Sequence, residues 1–187
     1  AGGLGVAEAA GIAATALKTF NLEGSEMSHV ADLLAAGAGK AMGDVTDLSA
    51  ALNQSAMVAN ATGLSIEETT AGLSAFASQG LIGSDAGTSF KSMLQSLTPT
   101  SGKAAETMSE LGISAYDSQG NFIGLAEFAG NLKNSLKDLT VEQQQAALKT
   151  IFGSDAIRAA TVLYSEGEEG IREWEAAVND QGYAAET

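Results

Sequence analysis

Apolar side chains recur at every third or fourth position along most of this chain, which is the spacing of one face of an α-helix. In the first third of the chain the pattern covers residues 4–20, 26–42 and 46–62. It then recurs on both sides of a glycine turn within 65–97, and over 103–111, 125–139, 141–152, 154–163 and 171–178. The hydrophobic pattern therefore predicts a mainly α protein built from short helices.

Glycines mark the turn within 65–97. Gly80 follows a helical segment, at the position where a left-handed backbone suits glycine best, and Gly83 gives the next turn its freedom. Ser84 is the expected cap of the second helix. Gly87 lies inside that helix, where glycine costs about 1 kcal/mol relative to alanine. We expect another backbone to pass Gly87 too closely for a side chain, and the other helices to pack around this helix–turn–helix unit.

Further start and stop signals divide the rest of the chain. The segments SIEE (65–68) and TVEQ (140–143) are capping boxes, in which the first and fourth residues satisfy each other's backbone N–H groups. Gly153 is expected to end one helix, and Gly167 and Gly170 to interrupt the chain again.

Residues 113–123 have a different character. Apolar and polar positions alternate from Ile113, the turn-forming run DSQGN (117–121) includes Gly120 and Asn121, and Phe122 follows. This arrangement predicts a small β-hairpin. A calcium loop is the weaker interpretation, because the glycine is misplaced and no bidentate glutamate closes the loop.

These elements together predict the fold class. It is a compact bundle of about eight to ten short helices with one small β-hairpin near residues 113–123. We expect a single helical domain over 1–187, with a possible subdivision into 1–98 and 103–187. Because the chain opens with Ala-Gly-Gly rather than methionine, we also expect it to be a fragment of a longer protein.

Composition and charge exclude several kinds of function. The net charge is −14 with only nine Lys and Arg residues, which argues against a surface that tracks phosphates, so no direct DNA binding is expected. Cysteine is absent and His29 is the only histidine, so no metal site and no cofactor are predicted. The glutamates between 168 and 175 are expected on a solvated helix face. With no catalytic constellation in the sequence, we predict that the chain is not an enzyme.

An uncharged stretch from Leu48 to Ile66 raises the possibility of membrane contact. Asn53, Gln54 and Asn60 interrupt it, and no basic residues flank it. A buried helix rich in small residues is the favoured interpretation, and a membrane-acting helical module is kept as an alternative.

Several segments, in the same order and at similar spacing, resemble the core of phage tail tape measure proteins. They are GLIGSDAGTSF (80–90), LTPT (97–100), the Leu111–Leu125 region, IFG (151–153) with Asp155-Ala156, and the upstream ANATG (59–63). The resemblance extends over roughly residues 16–180. It implies a structural signature of Gly80, Gly83, Ala86, Gly87, Thr88, Gly112, Gly120, Asn121, Phe152 and Gly153, with no catalytic residue among them.

The resemblance implies a structural role in a phage or prophage tail. Tape measure proteins fill the tail tube, set its length, and leave the tail at infection. The implied partners are the tail tube protein, tail assembly chaperones and tail-tip proteins, with host membrane contact possible at infection. The implied location is the tail tube lumen of the virion, and the host cytoplasm during assembly. A peptidoglycan-degrading domain is a further alternative, because long tape measure proteins can carry one.

Overall fold

The computed structural model describes residues 6–99 and 101–186, with side chains described from Ala9 onward. The start of the first predicted helix, at residues 4 and 5, lies outside this range. The described helices are α1 (Val6–Thr19), α2 (Met27–Lys40), α3 (Val45–Thr62), α4 (Ile66–Ser78), α5 (Gly83–Ser96), α6 (Gly102–Leu111), α7 (Leu125–Leu136), α8 (Val141–Val178) and α9 (Tyr183–Glu186). A 3-10 turn, Gly24–Glu26, precedes α2. The mainly α class is confirmed.

Local chemistry accounts for the helix boundaries. Both capping boxes form: Ser65 accepts a hydrogen bond from the backbone of Glu68, and Thr140 accepts one from Gln143. Gly63 and Gly112 end α3 and α6 with left-handed backbones, at φ of 108° and 71°. These are the positions where a glycine costs least and any other residue would be strained.

The element α8 is three helical segments in succession. Gly153 has φ 74° and ψ −176°, and Gly167 has φ 67° and ψ −171°, values far from those of a helix. We refer to residues 141–152, 154–166 and 168–178 as α8a, α8b and α8c. The interruptions predicted at Gly153 and Gly167 are confirmed, whereas Gly170 lies within α8c and the break predicted there is wrong.

Helices α2 to α5 form two antiparallel helical hairpins that lie side by side in the same orientation. Gly37 of α2 faces α4, where a Cβ on this glycine would lie 2.7 Å from Ser74 Oγ. Gly87 of α5 faces α3, where a Cβ would lie 2.6 Å from Gln54 Cβ. The α2–α3 and α4–α5 turns therefore meet at one end of the bundle, which we call the paired-turn end. We call the opposite end, with the α3–α4 turn and the loops around α6, the loop end.

The two hairpins are covered by α7 and α8. Helix α8 packs on both α4 and α5, and α7 packs on α8. Helices α4 and α5 make less contact with each other than with α3 and α8, so the predicted unit at 65–97 is held by its neighbours. Its own central contact is an edge-to-face pair of Phe76 and Phe90, with ring centroids 5.2 Å apart. Buried side chains from both halves of the chain belong to one hydrophobic cluster.

Both end helices pack on α2. The Asp32 carboxylate accepts hydrogen bonds from the backbone N–H groups of Gly182 and Ala184, at 2.8 and 3.0 Å. Lys40 binds Asp180 at 2.7 Å and lies 5.5 Å from the centre of the Tyr183 ring. Residues 140 to 152 positions apart in sequence are thus joined through α2.

The predicted β-hairpin at 113–123 is wrong, because no strand is present in the described part of the chain. The segment reverses direction tightly, but only Tyr116 and Phe122 form an antiparallel bridge. Asn131 of α7 explains why the pairing stops there. Its side-chain oxygen accepts from the Ser114 N–H at 3.1 Å, so the backbone at this point bonds to a helix rather than to a second strand.

Candidate functional site

The first group of signature residues forms the α4–α5 junction. Gly80 and Gly83 have φ of 89° and 65°, and the Leu81 N–H bonds back to the Phe76 carbonyl at 2.9 Å. Ile82 occupies the cap position of α5 and no side chain caps that helix, so the predicted role of Ser84 is wrong. The junction is closed by backbone hydrogen bonds, which two glycine conformations allow.

The same group continues along α5, where this helix crosses α3. A Cβ at Gly87 would contact the Ala51 carbonyl oxygen and would lie 3.0 Å from Ala51 Cα. Ala86 is buried and Thr88 half-buried beside it. The obstacle at Gly87 is backbone, which cannot rotate away as a long side chain can. The close approach expected from the sequence is present at this crossing.

The second group lies in the loop between α6 and α7. Gly112 ends α6, and its carbonyl accepts from Asn131 Nδ2 at 3.1 Å. Asp117 accepts from the backbone N–H groups of Gln119 and Asn121 at 2.9 and 3.0 Å. Gly120 has φ 82° within that turn. These contacts fix the loop on α7 and leave Gly120 and Asn121 exposed.

The third group is the break between α8a and α8b. Phe152 is 6% exposed, while Gly153 is exposed beside it. They line a shallow depression together with the end of α5 and the residues around Pro99. The break turns α8b toward α5, where buried Ser89 accepts a hydrogen bond from the Ala159 N–H at 3.0 Å.

The structure does not bring all three groups to one place. Gly80 and Gly83 lie at the paired-turn end. The α6–α7 loop lies at the loop end, where Thr98 and Tyr116 share a hydrogen bond of 2.9 Å between their hydroxyl oxygens. Phe152 and Gly153 lie near the same end, beside Pro99. The signature therefore marks junctions between helices rather than the lining of one pocket.

The long-range polar contacts of Glu68, His29 and Ser89 were not predicted from the sequence. The carboxylate of Glu68 serves two helices, because Oε1 accepts from the Ser65 N–H at 3.3 Å and Oε2 accepts from the Leu125 N–H at 2.9 Å. His29 Nε2 lies 2.8 Å from Glu67 Oε1 and joins α2 to α4. Ser89 and Ala159 form the third. Each pair is far apart in sequence, so no local pattern indicates it.

Acidic side chains gather where α8c passes the start of α4. Burial raises the pKa of Glu175, the nearby Glu68 carboxylate raises it further, and Arg172 partly offsets both effects. Arg172 binds Glu168 at 2.8 Å, and this hydrogen bond raises the pKa of the guanidinium. The ionised form of Glu175 is thus disfavoured at this place.

The described residues also bear on a metal site and on a membrane-spanning helix. Among residues 6–99 and 101–186, no three His, Asp or Glu side chains are placed to hold a metal ion together. In that same part of the chain, no helix combines the length and the apolar character needed to cross a bilayer. The uncharged stretch from Leu48 contributes instead to the core, with Leu48, Leu52 and Ala59 buried.

Comparison with known proteins identifies the family. The sequence model of a family described as phage-related minor tail protein matches residues 1–153 of the chain. The chain belongs to this family. Membership of this family supports a structural role in a phage tail and a place in the virion.

Two curated relatives of the chain are described as a tape measure protein and a probable tape measure protein. The tape measure protein of Pneumococcus phage Dp-1 is 34% identical over 174 residues, which are 92% of this chain and 15% of the relative. The probable tape measure protein of Escherichia phage P2 is 36% identical over 155 residues, which are 81% of this chain and 19% of the relative. The chain thus spans less than a fifth of either relative. The resemblance to tape measure proteins is confirmed, and no solved structure matches the chain.

Proposed function

We propose that this chain is a folded helical domain of a tape measure protein that takes part in tail tube assembly, tail length determination and genome delivery. It acts in the tail tube lumen, after assembly in the host cytoplasm. Its partners are the tail tube protein, tail assembly chaperones and tail-tip proteins. Within that function its role is that of a compact module, and the measuring segment lies elsewhere in the parent protein.

The observation that carries this proposal is the return of the chain to α2. Asp32 and Gly182, 150 residues apart in sequence, share a hydrogen bond. As one continuous helix, 187 residues would span about 280 Å at ~1.5 Å per residue. A compact domain of this size has a radius of gyration of about 16 Å. A segment whose ends meet on one helix adds little to the length of a ruler.

An in-frame deletion of residues 16–180, made in the full-length protein, tests the proposal by electron microscopy of the resulting tails. We expect tail assembly or genome delivery to fail. The matched control removes the same number of residues from a long uninterrupted helix of the parent protein, and we expect tails shortened by about 1.5 Å per deleted residue. Infectious particles with tails shortened in that proportion by the 16–180 deletion would show that this region is itself the ruler.

A further inference from the structure

The paired-turn end is formed by two turns that lie against each other. Helices α3 and α5 run parallel and begin side by side, so that a Cβ on Gly83 would lie 3.6 Å from Asp47 Oδ1. A shallow cleft runs between the turns and is lined by Gly43, Leu81 and Ile82. This cleft is separate from the signature residues of the loop end.

Each of the two turns carries an apolar side chain that projects into solvent. Met42, in the α2–α3 turn, is 95% exposed, and Ile82, in the α4–α5 turn, is 47% exposed. Single exposed apolar side chains are common on protein surfaces, but these two lie on adjacent turns at one end of the bundle. Together they form a small apolar surface that a second molecule would bury on binding.

The backbone of Met42 strengthens this interpretation. Its φ is 56°, in the left-handed region that disfavours every residue with a Cβ. Most positions of positive φ in the described part of the chain are glycine, as at Gly80, and Asn21 is the other exception. Met42 therefore carries a conformational cost that glycine would avoid, while its side chain is almost wholly solvated. This combination is consistent with a side chain that a partner contacts.

Charge indicates the chemistry of that partner. Asp44 and Asp47 line the cleft at the start of α3, and Asp85 lies in the first turn of α5. Two helix N-termini offset about one of these three negative charges, at roughly half a unit each. Lys40, the lysine at the end of α2, is already paired with Asp180 at 2.7 Å. The rim is thus net negative.

We propose that the paired-turn end is a docking surface for a protein partner that presents an apolar side chain flanked by Lys or Arg. The apolar side chain lies between Met42 and Ile82, and the basic groups face Asp44, Asp47 and Asp85. A second copy of this chain would bring like charges together, and DNA or an anionic lipid surface would be repelled in the same way. The proposal uses the place of the family in a phage tail and does not depend on the deletion result above.

Site-specific photocrosslinking in the full-length protein, in cells that assemble tails, tests the proposal. Benzoylphenylalanine replaces Met42, Ile82 or Met57 one at a time. Met57 is the matched control, because it is 78% exposed on α3 but about 15 Å along that helix from Asp47. We expect positions 42 and 82 to form adducts with the same partner protein, in peptides that contain Lys or Arg, at several times the yield of position 57.

A charge substitution provides the second measurement. With the probe at position 42, Ile82→Lys should lower the adduct yield about tenfold, since it removes an apolar contact and adds a positive charge that repels the basic groups of the partner. Met57→Lys should leave that yield unchanged. The proposal is overturned if yields at 42 and 82 do not exceed that at 57. It is also overturned if the adducts join a second copy, lipid, DNA or a peptide without Lys or Arg, or if Ile82→Lys has no effect.

Discussion

At the scale of single residues, the crossing of α3 and α5 depends on the absence of a side chain at Gly87. A Cβ there would meet the backbone of Ala51, so the two helices would have to move apart. We expect Gly87→Ala to destabilise the domain by about 1–3 kcal/mol and Gly87→Leu by more, as in other overpacked cores. Thermal unfolding measures this, with a shift of about 2–4 °C per kcal/mol for a domain of this size.

Gly102 is the matched control for that substitution. It also lies in a helix, α6, but a Cβ there would meet no atom within 4 Å. Gly102→Ala should therefore leave the unfolding midpoint unchanged or raise it slightly. Equal midpoints for Gly87→Leu and the unsubstituted protein would contradict the close-packing account of this crossing.

Glu175 gives the molecule a predictable dependence on pH. Its pKa is raised in the folded protein by burial and by Glu68, so its ionised form destabilises the fold. This destabilisation is present above the folded pKa and disappears below the unfolded pKa. We expect Glu175→Gln to raise the unfolding midpoint at pH 7, and the difference from the unsubstituted protein to vanish as the pH falls below the usual glutamate range. A midpoint that falls at pH 7 would contradict this.

At the scale of elements, Glu68 joins two helices that are distant in sequence. It completes the capping box of α4 and also accepts from the first N–H of α7, whose own cap residue, Gly124, has no side chain. A glutamine has one acceptor oxygen where the carboxylate has two. Glu68→Gln should therefore leave one of the two N–H groups without its partner and cost about 1–2 kcal/mol.

Glu142 is the control for Glu68, because it is an exposed acidic residue in the first turn of α8. Denaturant unfolding of Glu142→Gln should differ from the unsubstituted protein by no more than a few tenths of a kcal/mol. If Glu68→Gln is no more costly than Glu142→Gln, the link between α4 and α7 contributes nothing measurable.

Local chemistry made most helix boundaries predictable, because glycine conformation and capping act within a few residues. Gly63, Gly112 and both capping boxes are examples. The hairpin at 113–123 was not predictable, since the Ser114 backbone bonds to Asn131 on a helix that follows it. The hydrogen bonds of Glu68 to Leu125 and of Ser89 to Ala159 were also not predictable, because they depend on how the helices pack in three dimensions. For the candidate site, the sequence predicted the glycines at the helix junctions. It did not predict that these junctions lie at opposite ends of the bundle.

At the scale of the whole molecule, the shared hydrophobic cluster argues for one cooperative unit. We expect far-UV circular dichroism and the fluorescence of Trp174, in α8c, to report the same thermal midpoint. Trp174 is the only tryptophan of the chain, so its signal reports on the C-terminal half. Two separated midpoints would support instead a division near residues 98–103.

The charge of the whole chain leads to a separate prediction. With a net charge of −14, the chain should not retain DNA at about 0.15 M salt, because few cations are available to displace counterions. An electrophoretic mobility shift with the chain at low micromolar concentration measures this. A retarded band would contradict it.

The attachment of α9 to α2 determines how the domain would respond to mechanical force. A pull applied to its two ends is borne first by the contacts that hold those ends together, which are the bonds of Asp32 and Lys40 to residues 180–184. These few bonds are exposed or only partly buried, so they can break one after another, whereas the crossing of α3 and α5 lies in the core. Under tension we therefore expect the domain to lengthen at its periphery first.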